Sequence, residues 1–449
     1  MATQVTAAQA VARVQVTDTI GFGIATGQPA AFLKALSERE DWQDLRLYGG
    51  LLTVWSDVYR HPNVHYLSGF YGPMERALRD GGANISFAPA DFRRFAPLFA
   101  ATPPRIMAVP ASPPDADGFC SLSLHAGGII PALGAAAADP ERLLVVEASD
   151  RYPRTMGLAP DYPHRVHVDD VDLLIESDEA PIVLEDQAPS DVERAIAEHA
   201  RALIPDGAVL QTGIGVVPST VAGLLAEGLG GGYGVHTEMF TTGLMRLHQA
   251  RKIDNDKVLH AGKSLTTFAA GSEELYEWLD GNDEVAFVPV EVVNTPELMA
   301  RHERMVSMNA AISVDVQGQV VADTIAGQQY SGVGGHEDFV SGPGLSLQGH
   351  SLICLPSTAT VGGEVVSRIV PWFPAGAVIT TPRHQVDVIV TEYGTAELMG
   401  KTVHQRGLAL AAVAHPDFRD QLVEAAERAS GGRSPMPVAE TAPNKLTSL

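Results

Sequence analysis

Residues 209–220 read Val-Leu-Gln-Thr-Gly-Ile-Gly-Val-Val-Pro-Ser-Thr, and this stretch says most about the fold. It predicts a buried strand over Ala208–Gln211, a glycine-rich turn and a helix over Ser219–Glu227. Glycines in such a turn let a ligand approach the backbone, and the free N–H groups that open the next helix favour negative charge. A purely structural turn is the alternative. The spacing is not the Gly-x-Gly-x-x-Gly of dinucleotide-binding folds, which disfavours a nicotinamide oxidoreductase.

Short apolar runs and amphipathic windows alternate along the rest of the chain, and this alternation predicts an α/β fold. The apolar runs predict further strands at Leu143–Glu147, Val171–Ile175, Val285–Val288, Ser351–Leu355, Ala377–Thr380 and Val386–Thr391. The amphipathic windows predict further helices at Pro29–Glu38, Ala90–Ala96, Ser190–Leu203 and Pro416–Ala429. Residues 315–320 read Asp-Val-Gln-Gly-Gln-Val and predict a tight hairpin.

The length of the chain indicates more than one domain. Its 449 residues exceed the usual size of a single domain. The polar stretch Glu185–Ser190 ends a strand-rich block and precedes a helix, so we predict an N-terminal domain at 1–188 and a C-terminal domain at 189–449. The tail from Ser430 contains Gly, Pro and Thr and predicts a loose end.

Charge and cysteine content exclude several kinds of partner. With 31 Lys and Arg against 54 Asp and Glu, the formal net charge is −23, which disfavours nucleic acid and anionic membranes. Any anionic ligand then requires a local cluster of donors. Cys120 and Cys354 cannot build a disulfide framework or a cysteine-rich metal site, and no apolar run approaches the about 18 residues of a membrane span. We therefore expect a soluble cytoplasmic protein without a bound metal.

Three further segments carry candidate functional groups. Residues 230–243 place Glu238 at the end of a short strand, where α/β sites are built, although a solvated surface Glu is the common alternative. Residues 330–339 hold a glycine cluster whose backbone N–H groups could face an oxyanion, with a structural loop as the alternative. Residues 390–401 end at Lys401, a cation that suits phosphate contact, although a solvated surface charge is the commoner outcome.

In their order and spacing, these segments resemble the acetyl-CoA hydrolase/transferase family of class I CoA-transferases, which contains 4-hydroxybutyrate and related short-chain CoA-transferases. The resemblance spans nearly the whole chain and is stronger in the C-terminal half. The matching segments are Gly21-Phe22-Gly23, Gly27-Gln28-Pro29, Ser112–Phe119, Leu203–Gly207, Gln211–Gly215, His236–Met239, Gly334-Gly335, Asp338-Phe339, Leu355–Thr358 and Thr391–Gly394.

The resemblance implies two open α/β domains with the active site at their interface, and a homo-oligomer, commonly a dimer. It also implies that Glu238 is the catalytic nucleophile. In the family this carboxylate attacks the acyl-CoA thioester to give a mixed anhydride, and the released CoA thiolate returns to form a glutamyl-CoA thioester. A Glu suits this task because the pKa of an unperturbed glutamate, about 4.3, leaves it ionised near pH 7 without an auxiliary base.

The resemblance further implies roles for the residues around Glu238. Gly334, Gly335 and His336 would form the oxyanion and substrate site. The CoA-binding residues would be Gly213, Ile214, Gly215, Val216, Val217 and Lys401. His336 stands where the family usually has Gln or Asn, which makes it the predicted local determinant of acceptor choice. CoA would be a co-substrate and a transient covalent adduct, with no tightly bound cofactor.

The resulting expectation is transfer of CoA between a short-chain acyl-CoA, such as acetyl-CoA or butyryl-CoA, and a small carboxylate, such as acetate or 4-hydroxybutyrate. The first alternative is acyl-CoA hydrolysis, in which water takes the glutamyl intermediate. The second is a non-catalytic acyl-CoA sensor, which the presence of Glu238 beside the glycines disfavours because a sensor needs no nucleophile.

Overall fold

Two large sheets organise the molecule, one in each half of the chain. The computed structural model describes residues 2–125 and 127–430. Strands of the first half are β1 Thr3–Val5, β2 Thr17–Phe22, β3 Asp44–Gly49, β4 Val64–Ser68, β5 Ile85–Phe87, β6 Ile106–Ala111, β7 Phe119–Ser121, β8 Leu143–Ala148, β9 Arg165–His167 and β10 Leu173–Glu176. The first sheet has the order β1-β10-β8-β6-β2-β3-β4-β5, and all its neighbours are parallel.

The second half repeats this architecture. Its strands are β11 Val209–Thr212, β12 Gly234–Phe240, β13 Ser264–Ala269, β14 Val285–Phe287, β15 Met305–Ala310, β16 Ser313–Asp315, β17 Val320–Val321, β18 Thr324–Ile325, β19 Gln328–Gln329, β20 His350–Cys354, β21 Thr358–Val361, β22 Glu364–Ser367, β23 Ile369–Val370, β24 Val388–Thr391 and β25 Gly394–Glu397. The large sheet has the order β14-β13-β12-β11-β15-β20-β24-β25. Its strands are parallel except for the edge strand β25.

Helices connect the parallel strands, as crossover connections require. They are α1 Ala7–Val11, α2 Ala30–Leu36, α3 Pro73–Asp80, α4 Phe95–Ala101, α5 Ile130–Ala137, α6 Asp191–Arg201, α7 Val216–Glu227, α8 Thr242–Gln249, α9 Glu273–Leu279, α10 Val290–Val293, α11 Pro296–Met299, α12 His336–Leu345, α13 Val403–Ala412 and α14 Arg419–Ser430. Short 3₁₀ segments lie at Ala25–Gly27, Asp57–Arg60, Phe92–Arg94, Gly127–Ile129, Val168–Asp170 and Pro416–Phe418. Within the described residues, no helix is long and apolar enough to cross a membrane.

The helix α6 shows how local sequence sets an element and its place. Ser190 caps its first turn, because the Ser190 hydroxyl accepts from the N–H of Glu193 and the Glu193 carboxylate accepts from the N–H of Ser190. Ile196 and Ala200 of α6 are buried in the core of the second sheet, together with Leu210. The helix after the polar stretch therefore packs with the C-terminal half.

The α/β fold with parallel sheets is confirmed, and most sequence-predicted elements are present. Strands occur at or within two residues of six predicted positions, and the hairpin forms between β16 and β17, with Gly318 at φ +87° in its turn. All strands of the first sheet precede residue 188 and those of the second follow it. The domain division at 1–188 and 189–449 stays a prediction. The predicted loose tail lies almost entirely outside the described residues.

Four predicted elements were wrong or displaced. The helix predicted at Pro416–Ala429 begins at Arg419, after a 3₁₀ turn at Pro416–Phe418. Ala377–Thr380 is not a strand: prolines at 374 and 382 flank it, Gly376 turns the chain at φ +85°, and only a single bridge joins Thr381 to Val320. The helix predicted at 90–96 begins at Phe95. The helix predicted from Ser219 begins at Val216, because a proline in the first helical turn needs no N–H partner.

Candidate active site

Glu238 lies on β12, which has neighbouring strands on both sides in the second sheet. The other residues of β12 are buried, whereas Glu238 is partly exposed. Since Leu210 of β11 pairs with Val235 of β12, the turn that follows β11 at Gly213–Gly215 starts level with Glu238. In α/β folds ligands bind at the carboxyl ends of parallel strands. The fold thus places the candidate carboxylate beside the candidate ligand turn.

A chain of hydrogen bonds holds the Glu238 carboxylate. The side-chain amide Nδ2 of Asn294 donates to Glu238 Oε2 at 2.6 Å and to Asp338 Oδ2 at 2.9 Å. The Arg93 guanidinium forms an ion pair with the buried Asp338. Because both amide protons of Asn294 are used, its orientation is fixed between the two carboxylates. Arg93 comes from the first half of the chain, so the network joins the two halves at Glu238.

The surroundings of Glu238 change its protonation. Burial raises the pKa of the Glu238 carboxyl to about 7, and the hydrogen bond from Asn294 acts in the opposite direction. The positive charge of Arg93 is neutralised by Asp338, so no free cation compensates the Glu238 charge through this network. A carboxylate that is poorly solvated in this way is a stronger nucleophile than one in water.

The glycine pair packs directly against this carboxylate. Gly334 has φ +55°, in the region that favours glycine, and its carbonyl accepts from the N–H of Phe92 at 2.8 Å. A Cβ on Gly335 would lie 1.9 Å from Glu238 Oε2 and 2.8 Å from Asn294 Nδ2. Any side chain larger than hydrogen at 335 therefore collides with the carboxylate. Residues 91–93 contact Gly334 just before α4, which explains why this helix begins later than predicted.

His336 follows the glycine pair at the start of α12 and lines the cavity that opens onto Glu238. Its Nε2 lies 2.9 Å from the Thr381 hydroxyl, which donates to the Glu337 carboxylate. Burial lowers the pKa of His336 to about 4, so its imidazole is neutral near pH 7. Burial also raises the pKa of Glu337 to about 7. Because the Thr381 hydroxyl donates to Glu337, it accepts from Nε2 of His336, so the neutral ring carries its proton on Nε2 while Glu337 is ionised.

A cavity of about 390 Å³ opens onto Glu238 and draws its walls from both halves of the chain. The first half contributes an apolar wall of Ile24, Leu51, Phe70, Phe92 and Phe95. The second half contributes Glu238, the glycine-containing segment 331–336 and the carboxyl ends of β11, β15 and β20. The cavity therefore combines a carboxylate, backbone donors and an apolar surface at the boundary between the halves.

Of the six candidate CoA-binding residues, five line this cavity and Lys401 does not. Gly213, Ile214, Gly215, Val216 and Val217 all line the cavity, and the first four also line an adjoining cavity of about 220 Å³.

The structure does not bring Lys401 to this cavity. The turn that carries Lys401 follows β25, at the end where Glu397 pairs with the first residue of β24. Its ammonium group donates to the carbonyl of Glu397. Three strands, β11, β15 and β20, separate β24 from β12 in the sheet. Within one chain, Lys401 is therefore displaced from Glu238 both across the sheet and toward the amino ends of the strands.

Sequence reasoning missed two residues that hold Glu238. Asn294 ends the short helix α10 and is separated from Glu238 by 56 positions, and Arg93 is separated from Asp338 by 245 positions. Asn294 stands in an ordinary Val-Val-Asn-Thr segment, and Arg93 in a run with a second arginine. Neither segment carries a local pattern that could have indicated its role.

Several known proteins are similar to this chain in sequence and fold. The family model of the acetyl-CoA hydrolase/transferase C-terminal domain matches residues 271–426. The 4-hydroxybutyrate coenzyme A transferase of Clostridium kluyveri is 36% identical, over 93% of this chain and 96% of its own. The crystal structure of RipA from Yersinia pestis has a TM-score of 0.87 at 32% identity, over 95% of this chain and 97% of its own.

A third relative differs in its named activity. The acetyl-CoA hydrolase of Schizosaccharomyces pombe is 26% identical, over 66% of this chain and 63% of its own. The clostridial transferase matches with higher identity and over nearly the full length of both chains. These similarities confirm the family resemblance seen in the motifs. The chain belongs to the acetyl-CoA hydrolase/transferase family of CoA-transferases.

Proposed function

We propose that this protein transfers CoA between a short-chain acyl-CoA and a small carboxylate through a thioester on Glu238. The observation that carries the proposal is the Glu238 carboxylate itself, partly exposed in a cavity and packed against Gly335 and Asn294. Its pKa of about 7 leaves about half of the carboxyl ionised near pH 7, and the ionised form attacks without a general base. The relatives named as CoA-transferases support CoA transfer as the reaction.

The proposed reaction begins when a Glu238 oxygen attacks the thioester carbonyl carbon. The C–S bond breaks, CoA leaves as a thiolate, and an acyl-glutamyl anhydride forms. The thiolate then attacks the Glu238 carbonyl carbon, the acyl group leaves as its free carboxylate, and a glutamyl-CoA thioester remains. An acceptor carboxylate repeats both steps in reverse, with no net proton uptake.

The groups around Glu238 have distinct roles in this proposal. The amide of Asn294 and the backbone N–H groups of Gly334 and Gly335 stabilise negative charge on the oxygens of the reacting carbonyls, where one donor is worth about 3 to 4 kcal/mol. The aromatic wall from the first half of the chain limits water access to both reactive intermediates.

The cavity favours short apolar acyl groups. Its N-terminal wall is aliphatic and aromatic, so an acetyl or butyryl group would remove apolar surface from water there. Acetate and 4-hydroxybutyrate are the proposed acceptors, as in the relatives named 4-hydroxybutyrate coenzyme A transferase and butyryl-CoA:acetate CoA-transferase. We further propose that the enzyme is cytoplasmic and forms homodimers.

Hydrolysis is the second candidate, favoured by the relative named acetyl-CoA hydrolase. The two functions differ in what removes CoA from Glu238. We expect acyl-CoA consumption to rise strongly when a carboxylate is supplied, with parallel-line kinetics and a new thioester equal in amount to the one lost. Free CoA that accumulates at the same rate whatever carboxylate is present would assign the protein as a hydrolase.

The pH dependence of the first half-reaction should follow Glu238. Because burial raises its pKa to about 7, the reactive carboxylate is lost as pH falls below that value. We expect kcat/KM for acyl-CoA to rise with pH, by up to about tenfold per unit, and to level off above about pH 7. Rates measured between about pH 5.5 and 8.5 test this, since kcat/KM reports the free enzyme.

Two variants assign the pH midpoint to one residue. Asn294→Ala removes the hydrogen bond that lowers the Glu238 pKa, so the midpoint should move upward. Glu337→Gln removes the other nearby carboxyl with a pKa of about 7 and should leave the midpoint unchanged. A midpoint that disappears in Glu337→Gln would assign the titration to Glu337 instead.

A further prediction concerns His336 and the choice of acceptor. With Glu337 protonated, its carboxyl can donate to the Thr381 hydroxyl, which then donates to Nε2 and leaves the His336 ring proton on Nδ1. If Nδ1–H donates to the acceptor carboxylate in that state, His336→Ala should lower the acceptor kcat/KM about tenfold to hundredfold. His336→Gln should retain activity and change the ranking of carboxylates in a panel assay. Two active variants with the wild-type ranking and unchanged kcat/KM would show that His336 serves only to pack against Thr381.

A further inference from the structure

We propose that Arg368 binds a phosphate of the CoA moiety, at the part of the cavity remote from Glu238. The proposal rests on the proposed function in that it takes acyl-CoA as the ligand of this cavity. It gives the phosphates a cation that lines the cavity, whereas Lys401 lies away from it.

Charge singles out Arg368. Of the described residues that line the 390 Å³ cavity, Arg368 is the only Lys or Arg, whereas Glu193 and Glu238 contribute negative charge. The whole chain carries a formal charge of −23. An anionic ligand such as CoA is therefore repelled by most of the protein and attracted at this point of the cavity wall.

The guanidinium of Arg368 has unused hydrogen-bonding capacity. The residue is half-buried, yet its side chain makes neither a hydrogen bond nor an ion pair with any part of the chain that the structure describes. Burial lowers the pKa of Arg368, and the nearby Glu392 acts in the opposite direction. Glu392 is the neighbouring acidic group, but its carboxylate accepts from the N–H and the hydroxyl of Ser357 at 2.9 and 2.6 Å. Five N–H donors of Arg368 remain for a ligand.

A second unpaired donor lines the same cavity. The side-chain Nδ2 of Asn309, at the end of β15, is buried and has no hydrogen-bond partner among the described residues. Asn309 also lines the cavity. Buried amide groups are normally paired, so this donor beside the cavity has hydrogen-bonding capacity that a ligand oxygen could use after a small side-chain rotation. Asn309 and Arg368 thus add polar donors to a cavity whose lining from the first half of the chain is apolar.

The sheet order separates the backbone of Arg368 from Glu238. The backbone N–H of Arg368 donates at 2.8 Å to Ser357, just beyond β20, and β20 lies three strand spacings from β12. Three spacings amount to about 14 Å. A small carboxylate bonded to Glu238 does not reach that far, whereas the phosphates of CoA lie at the far end of its pantetheine arm. The arm would run from Glu238 over Gly213–Val217 and past Asn309.

The test compares ligands with and without phosphate. Calorimetry should show that Arg368→Ala weakens binding of CoA by about tenfold to hundredfold, as for loss of a charged hydrogen bond, and leaves binding of pantetheine unchanged. Arg368→Lys should recover part of the CoA affinity because it restores the charge. Arg419→Ala is the matched control: Arg419 is half-buried in the same half of the chain, donates to the Ala414 carbonyl and does not line the cavity.

Three outcomes would contradict the proposal. Unchanged CoA affinity in a folded Arg368→Ala protein, or equal weakening of CoA and pantetheine, would overturn the proposal. A raised KM for the acceptor carboxylate with unchanged CoA affinity would also overturn it, and would assign Arg368 to the acceptor instead. The binding assay needs no turnover, so the loss of CoA affinity can be established even if the wild-type enzyme transfers no CoA, in which case the proposed function alone fails.

Discussion

Replacing Glu238 by Gln should reduce CoA transfer by at least about a thousandfold, the scale of loss seen when a covalent nucleophile is removed. Gln has nearly the same shape, and its side-chain oxygen can still accept from Asn294. It lacks the negative charge and the oxygen that must form the anhydride. The substitution therefore removes the chemistry while retaining the packing against Gly335. Steady-state rates with acyl-CoA and a carboxylate measure the loss.

Glu193→Gln provides the matched control for this substitution. Glu193 lines the same cavity and is the other acidic residue of its described wall. Gln at this position also retains the capping box at the start of α6, since Gln can replace Glu in that motif. We expect Glu193→Gln to keep turnover near the wild-type value. Comparable activity in Glu238→Gln and Glu193→Gln would refute the assignment of Glu238 as nucleophile.

The second large effect should come from Gly335→Ala, which adds one methyl group. Its Cβ would lie 1.9 Å from Glu238 Oε2, so the carboxylate or the loop must move. A displacement of about 1 Å at a reacting group can reduce the rate about a hundredfold, and we expect a loss in kcat of this size. The thermal unfolding temperature, measured beside the rate, separates this effect from misfolding.

Gly344→Ala is the control on the same helix. Gly344 lies in α12, and a Cβ there has no heavy atom within 4 Å. Alanine favours a helix over glycine by up to about 1 kcal/mol, so this variant should be as stable as the wild type or more so, with unchanged kcat. If both glycine variants retain the wild-type kcat, Glu238 does not need its contact with Gly335.

The parts of the site that could be predicted from sequence are those that local pattern determines. The strand, turn and helix around 209–227 placed Gly213–Val217 at a carboxyl edge, and the structure puts Glu238 and Gly335 there as well. Each of these residues sits in a segment whose glycine content or strand end is visible without a partner. The family resemblance then supplied their common role.

The remaining parts depend on contacts between distant segments. Asn294 is positioned by the short helix α10, Arg93 by docking of residues 91–93 on Gly334, and Arg368 by its backbone bond to Ser357. None of these contacts follows from local spacing. The failure at 377–380 has a different origin: the prolines at 374 and 382 and the turn at Gly376 are local features that disfavour a strand.

The central claim is that CoA becomes covalently attached to Glu238, and mass spectrometry of the protein tests it most directly. The enzyme is incubated with acyl-CoA without an acceptor, quenched in acid, digested and analysed by peptide. We predict one peptide, the one containing Glu238, with the added mass of CoA minus water, and loss of this adduct when a carboxylate is supplied before quenching. An actively turning-over enzyme with no adduct on that peptide, or an adduct that persists in Glu238→Gln, would contradict the account.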